Sequence, residues 1–165
     1  MAPFSLESAL AIGLGANISS CHGPPESTLR WLAPRLSDLL LDWGDGDAQD
    51  VRCSAFVETQ PIGGPPGQAP YCNAVLLLTH VRRPLSEQAA LELLEHLQRL
   101  EQDCGRDRAR EQHWGPRPLD LDLLFWGEMR LDHPRLVLPH PRMHLRSFVL
   151  EPLLQAMQGI HPPCW

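Results

Sequence analysis

The chain has 165 residues, 43% of them apolar and 21% charged, which suits a single globular domain spanning residues 1–165 and excludes a disordered chain. Its longest apolar run, Ala74 to Leu78, is far too short for a bilayer, and Met1 to Phe4 lack the basic residue and long apolar stretch of a signal peptide. A formal net charge of −6 disfavours a nucleic-acid binder, and because all 14 basic residues are arginine, a Walker P-loop and Schiff-base chemistry on lysine are excluded.

Any anion held here must be held by arginine forks, backbone amides or metal ions. Cysteines 21, 53, 72, 104 and 164 form an odd set without a C-x-x-C pair, so neither a disulfide scaffold nor a zinc ribbon is expected, and a reducing cytoplasm is the simple reading.

The first strand is expected over Ala9 to Leu14, ending in a tight turn at Gly13-Leu14-Gly15-Ala16-Asn17. Leu29, Leu32, Leu36 and Leu39 recur at helical spacing, with Pro34 expected to kink or break the helix. Asp42 to Asp50 reads as a solvated loop, Val51 to Thr59 as a second strand, the proline- and glycine-rich Gln60 to Pro70 as a long loop, and Tyr71 to Val81 as a third strand. Pro84 to Gly105 is the strongest helix: Ser86 caps it, Ala90, Leu93, Leu97, Leu100 and Cys104 form one seam, and Gly105 stops it. A polar, arginine-rich stretch from Arg106 to Pro118 leads to an alternating strand, Leu119 to Trp126, a hairpin, and a last helix near Leu145 to Met157. No repeat or linker interrupts this order. Interleaved strands, helices and hairpins predict an α+β sandwich, an antiparallel sheet with helices on its faces.

The sharpest chemical signal is Leu119-Asp120-Leu121-Asp122-Leu123-Leu124-Phe125. On a strand Asp120 and Asp122 share one face, while Leu121, Leu123 and Phe125 share the other. Two carboxylates about 6 Å apart repel by about 3 kcal/mol at an effective dielectric of 20. Divalent cations between them would relieve that repulsion, and such oxygen ligands suit magnesium. An exposed face with two solvated acids is the plainer alternative. Arg106, Arg108, Arg110 and Arg117, with Trp114 among them, favour a phosphate site without a P-loop over a merely solvated loop neutralising Asp107 and Glu111. Tyr71 and Asn73 lie on one strand face and could stack and read a flat heterocycle, or could simply begin an ordinary strand. His140 and His144 have a zinc-ligand spacing on a helix, but Pro139 and Pro141 argue against a helix there.

Several segments together resemble the hydroxymethyldihydropterin pyrophosphokinase family of folate biosynthesis. They are Gly15-Ala16-Asn17, Glu58-Thr59-Gln60-Pro61-Ile62-Gly63, Tyr71-Cys72-Asn73-Ala74-Val75, Gln98-Arg99-Leu100-Glu101 and Gly105-Arg106. Trp114-Gly115-Pro116-Arg117-Pro118-Leu119-Asp120-Leu121-Asp122, Leu138-Pro139-His140-Pro141-Arg142 and Arg146-Ser147-Phe148-Val149-Leu150 complete the pattern. The chain departs from it at Ala16, where serine is common, at Gln60, where proline is usual, at Ala109, often a basic position, and in a loop one residue longer before Trp114.

The resemblance implies an αβα sandwich with a ferredoxin-like antiparallel core, and transfer of pyrophosphate from ATP to the hydroxymethyl oxygen of 6-hydroxymethyl-7,8-dihydropterin, leaving AMP. It implies that Asp120 and Asp122 hold two Mg2+ ions, with Arg106 and Arg117 meeting phosphate oxygens. It implies a pterin site of Thr59, Gln60, Pro61, Ile62, Tyr71, Asn73, Trp114 and Phe148, and a nucleotide side of Gln98, Glu101, Arg108, Arg135, His140 and Arg146. The expected partners are ATP and the pterin, with no nucleic acid, membrane or obligate protein partner, in a stand-alone enzyme. A magnesium-dependent phosphohydrolase and a non-catalytic pterin- or nucleotide-binding module are the alternatives.

Overall fold

In the computed structural model, which describes residues 5–159, the first apolar run forms β1 (Leu10–Ala16) and continues through its glycines. Gly13 pairs with Val75 and Gly15 with Asn73 on one side, and the same glycines pair with Asp122 and Asp120 on the other. The expected turn at Gly13 is therefore corrected: the two glycines are ladder residues of a central strand. Expectations for residues 1–4 and 160–165 lie outside the described residues.

Helix α1 (Pro25–Gly44) begins with a proline in its first turn, where a missing N–H costs nothing. It buries Leu29, Leu32, Ala33, Leu36, Leu40 and Trp43. Of the expected kink or break at Pro34, the break does not occur: the helix continues through this residue, which faces solvent. The helix also takes in Asp42 to Gly44, expected as loop.

The single strand expected over Val51 to Thr59 is two, β2 (Val51–Cys53) and β3 (Val57–Thr59), both paired with β4 (Tyr71–Leu78). Ser54 explains the interruption. Its N–H donates to the Val75 carbonyl at 2.9 Å, and its Oγ accepts the Val75 N–H at 2.9 Å, so a side chain completes the ladder and the backbone turns away.

Helix α2 (Glu87–Asp103) is capped as expected, Ser86 Oγ accepting the Ala89 N–H at 3.1 Å. Strand β5 (Asp120–Trp126) pairs with β1 and carries an irregularity: Ala11 faces Phe125 but Ile12 faces Leu123, leaving Leu124 as the extra residue. Leu121 and Leu123 thus join one core layer, while Leu124 and the half-buried Phe125 pack against the other. Phe125 is therefore not on the Leu121 face, as strict alternation predicts. A hairpin, β6 (Leu131–His133) and β7 (Leu136–Leu138), precedes α3 (Ser147–Gln158).

The sheet runs β2–β4–β1–β5, antiparallel throughout, with β3 also on β4. This is the split βαβ, ferredoxin-like arrangement in a mixed α+β fold. Helices α1 and α2 cover one face against Leu10, Ile12, Leu76, Leu78, Leu121 and Leu123. Helix α3 covers the other through Val149, Leu153 and Ala156 against Ala9, Ala11, Val75 and Leu77. Cys21, Cys72 and Cys104 are free, but Cys53 is disulfide-bonded, a bond that the odd cysteine count and the reading of a reducing compartment did not anticipate. Among the described residues no helix is long and apolar enough to cross a membrane.

Candidate active site

Helix α3 leaves part of its sheet face open. It lies over Ala9, Ala11, Val75 and Leu77, and beyond them the face continues as two cross-strand rows, Val75–Gly13–Asp122 and Asn73–Gly15–Asp120. With no side chain on the middle strand, a trough forms between β4 and β5. A Cβ on Gly15 would stand 3.2 Å from Asn73 Oδ1 and 3.7 Å from Tyr71 Cδ1, so any larger residue there would push on the Asn73 amide and narrow the trough. The walls are the loop after β3 and residues near Trp114 on one side, and His140 to Val149 on the other; together they enclose a cavity of about 370 Å³.

One half of the cavity is aromatic and amide-lined. Asn73 is buried and its Nδ2 donates to Thr59 Oγ1 at 2.7 Å and to the Val57 carbonyl at 3.3 Å, which fixes the amide. Tyr71 donates its hydroxyl to the Gly115 carbonyl at 3.2 Å, and burial raises its pKa. Buried Asn17 ties two walls together: Nδ2 donates to the Ala69 carbonyl at 3.1 Å, and Oδ1 accepts the Arg117 N–H at 2.8 Å. Gln68 Nε2 donates to the Trp114 carbonyl at 3.0 Å. Trp114 itself holds a left-handed backbone, φ 55°. Its ring lies so close to Gly63 that an added Cβ would fall 2.6 Å from Cε3.

The other half carries charge. Asp120 Oδ1 accepts from Arg106 Nη1 at 2.7 Å and Asp120 Oδ2 lies 3.1 Å from Arg117 Nη1. Burial pushes the Asp120 carboxyl up, but Arg117 and Arg106 outweigh it and hold it below the usual carboxylate range. Among the described residues Asp122 has one ion-pair partner, Arg146, with Nη1 3.9 Å from Oδ2. Burial, and then the neighbouring Asp120, raise its pKa against the opposing pull of Arg146. Arg117 Nε is buried without a hydrogen-bond partner among the described residues, an unspent donor beside the carboxylates. Burial and then Arg146 lower the His140 pKa. A carboxylate pair with arginine donors at one end and an aromatic, amide-lined wall at the other can hold a polyanion beside a planar ring.

The cavity brings together Thr59, Gln60, Pro61, Ile62, Tyr71, Asn73, Trp114, Phe148, Arg117, Asp120, Asp122, His140 and Arg146. Arg106 does not line it. That side chain is buried behind Asp120, where Nη1 also donates to Glu101 Oε1 at 2.7 Å, Nη2 donates to Glu111 Oε2 at 3.1 Å, and Nε pairs with Glu111 Oε1. Buried Glu101 also accepts the Leu121 N–H at 2.8 Å, and its Oε2 accepts from half-exposed Arg108 at 2.5 Å. Gln98 sits half-buried on α2, and Arg135, on the hairpin turn, reaches Glu95 at 3.3 Å. His140 and His144 do not share a regular helix, and no group of three or more metal-ligating side chains occurs among the described residues.

Sequence reasoning assigned no site role to Gly13, Gly15, Arg142, Leu145, Asn17 or Gln68. The signal for the glycines was their period of two within an apolar run, the spacing of one strand face. Arg142 closes the Leu138-Pro139-His140-Pro141-Arg142 segment but was given no role there, and nothing local marks Gln68; the positions of both depend on loops that meet only in the fold.

The geometry defines a ferredoxin-like α+β protein with a small-molecule site on the open face of its sheet. Residues 11–158 match the family described as 7,8-dihydro-6-hydroxymethylpterin-pyrophosphokinase (HPPK), and the chain belongs to that family. Three similar proteins carry the name 2-amino-4-hydroxy-6-hydroxymethyldihydropteridine pyrophosphokinase. The one from Pseudomonas putida is 46% identical over 133 residues, 81% of this chain and 94% of its own. That from Synechocystis is 40% identical over 144 residues, 87% of this chain and 64% of its own. The Haemophilus influenzae protein is 35% identical over 152 residues, 92% of this chain and 83% of its own. The chain thus spans about two-thirds of the Synechocystis relative and most of the other two.

Proposed function

We propose that this chain is an ATP-dependent pyrophosphokinase of folate biosynthesis. It transfers the pyrophosphoryl group of ATP to the hydroxymethyl oxygen of 6-hydroxymethyl-7,8-dihydropterin, giving the pterin diphosphate and AMP. The observation that carries this reading is a single cavity lined by Tyr71, Asn73, Trp114 and Phe148 together with Asp120, Asp122 and Arg117, in a chain of the HPPK family.

Tyr71, Trp114 and Phe148 offer ring faces to the pterin, and Asn73, held by Thr59, offers an amide to its edge. This fixes the acceptor hydroxyl near the carboxylates, and alignment supplies much of the rate in such a transfer. Attack on the β-phosphorus builds charge on non-bridging oxygens. Arg117, whose Nε lacks a partner among the described residues, and Arg146, loosely held by Asp122, can donate to those oxygens. Loops around Gly63 and Trp114 close one wall of the site and exclude water, which suppresses hydrolysis of ATP. His140 and Arg146 line the cavity and face the polyphosphate, whereas Gln98, Glu101, Arg108 and Arg135 lie outside its lining, Glu101 being spent on Arg106, Arg108 and the Leu121 N–H.

Asp120 and Asp122 fit magnesium in the chemistry of their donors. Two carboxylates share one strand face, and Asp122 has a loose partner, whereas magnesium takes one or two carboxylates and fills its remaining positions with phosphate and water. Bound there, two Mg2+ ions would supply charge neutralisation for the triphosphate. Product analysis by 31P NMR and mass spectrometry tests the reaction: equimolar pterin diphosphate and AMP are expected. ADP with a pterin monophosphate, or inorganic phosphate alone, would overturn it.

A further inference from the structure

Arg142 lines the cavity, and its Cζ stands 5.4 Å from the centroid of the Trp114 ring. Unlike Arg106, Arg108 and Arg117, which each pair with carboxylates, Arg142 has no carboxylate partner among the described residues. Its guanidinium is committed to the indole face. Trp114 needs such a restraint. Its backbone is left-handed, a conformation that costs a non-glycine residue stability unless its surroundings enforce it. On the loop after β3, Gly63 lies directly against the ring, His113 stacks with it at 4.6 Å, and Gln68 holds its carbonyl. Arg142 is the contact from the opposite wall, the segment between β7 and α3. That segment is anchored to the sheet by the His140 N–H, which donates to the Leu124 carbonyl at 2.7 Å, and the Arg142 N–H donates to His140 Nδ1 at 3.2 Å.

We infer that Arg142 is a positioning residue that latches Trp114 across the cavity by a cation–π contact, so that the two walls close together on the pterin. Arg142 holds the indole in the ring-binding position, and the Gly63 backbone sets how deep it sits. The inference rests on the proposed pterin site.

The first readout is independent of turnover. In protein labelled with 5-fluorotryptophan, with the Trp114 resonance assigned through Trp114→Leu, Arg142→Gln moves or broadens the Trp114 19F signal and spares the others, while Arg142→Lys, which keeps a cation, retains most of it. An unmoved Trp114 signal in Arg142→Gln overturns the latch. The second readout is kinetic. Arg142→Gln raises the pterin KM by about 2- to 5-fold, the range open to an exposed cation–π contact, and by more than it lowers kcat. In the Trp114→Leu background the same substitution leaves the pterin KM unaltered; an equal rise in both backgrounds means that Arg142 acts on the ligand directly and overturns the inference. If the wild-type protein releases no AMP in the presence of the pterin, the functional reading fails, and the 19F experiment decides the latch alone.

Discussion

The side chain that departs most from its expected surroundings is Arg106. A loop arginine beside two aspartates reads as a phosphate ligand, yet here it is buried among Glu101, Glu111 and Asp120. The sequence could not disclose this, because Glu101 closes a helix and Glu111 follows in an aperiodic loop, and only the fold brings them together. The consequence is a stability prediction. Removing one partner of a buried ion cluster leaves uncompensated charge, so Arg106→Met should cost about 3–5 kcal/mol in urea unfolding. Arg108→Met, at a half-exposed pair, should cost less than about 1 kcal/mol. Similar small losses in both would contradict the buried cluster. Asp120 and Asp122 were legible because period-two alternation alone puts them on one face, and their pairing with β1 keeps them there. Asp122→Ala should nearly abolish turnover with little loss of fold; near-normal magnesium-dependent activity in the purified variant would break the metal assignment.

Elements were legible where their signals are local and obscure where a partner decides. Helix α2 carries its own cap, seam and stop, and forms as expected. Strand β1 does not announce that its glycines continue the ladder, since only the neighbouring strands show that their bareness makes a trough. Ser54 likewise splits β2 from β3 through a bond to Val75 that no periodicity encodes, and the extra residue Leu124 moves Phe125 to the other face. The trough gives a sharp test. Gly15→Ala forces a methyl to within 3.2 Å of Asn73 Oδ1, displacing the amide on the pterin wall. The pterin KM should rise about tenfold, near 1.4 kcal/mol, with the ATP KM nearly constant. Equal weakening of both substrates in steady-state kinetics would show that the glycine supports the fold and not the ring site.

For the whole molecule, the α+β class followed from the order of strands and helices, because interleaved hairpins and amphipathic helices have few ways to cover both faces of a sheet. The meeting of the loop after β3, the Trp114 loop and the segment before α3 was implied by the family resemblance alone, since by its own residues each reads separately as a polar, proline-rich connection. Their convergence makes occupancy and stability one property. The pterin and a non-hydrolysable ATP analogue, each at 100 times its Kd, should stabilise the fold by about 2.7 kcal/mol per ligand, seen as a rise in Tm. EDTA should remove most of the nucleotide's share; a shift insensitive to EDTA would mean that the nucleotide binds without metal. The most direct measurement is AMP release from Mg-ATP by the purified chain, with and without 6-hydroxymethyl-7,8-dihydropterin. AMP that appears only with the pterin and vanishes in Asp120→Ala is the predicted result; AMP formed without the pterin, or none at all from folded protein, would contradict the proposed reaction.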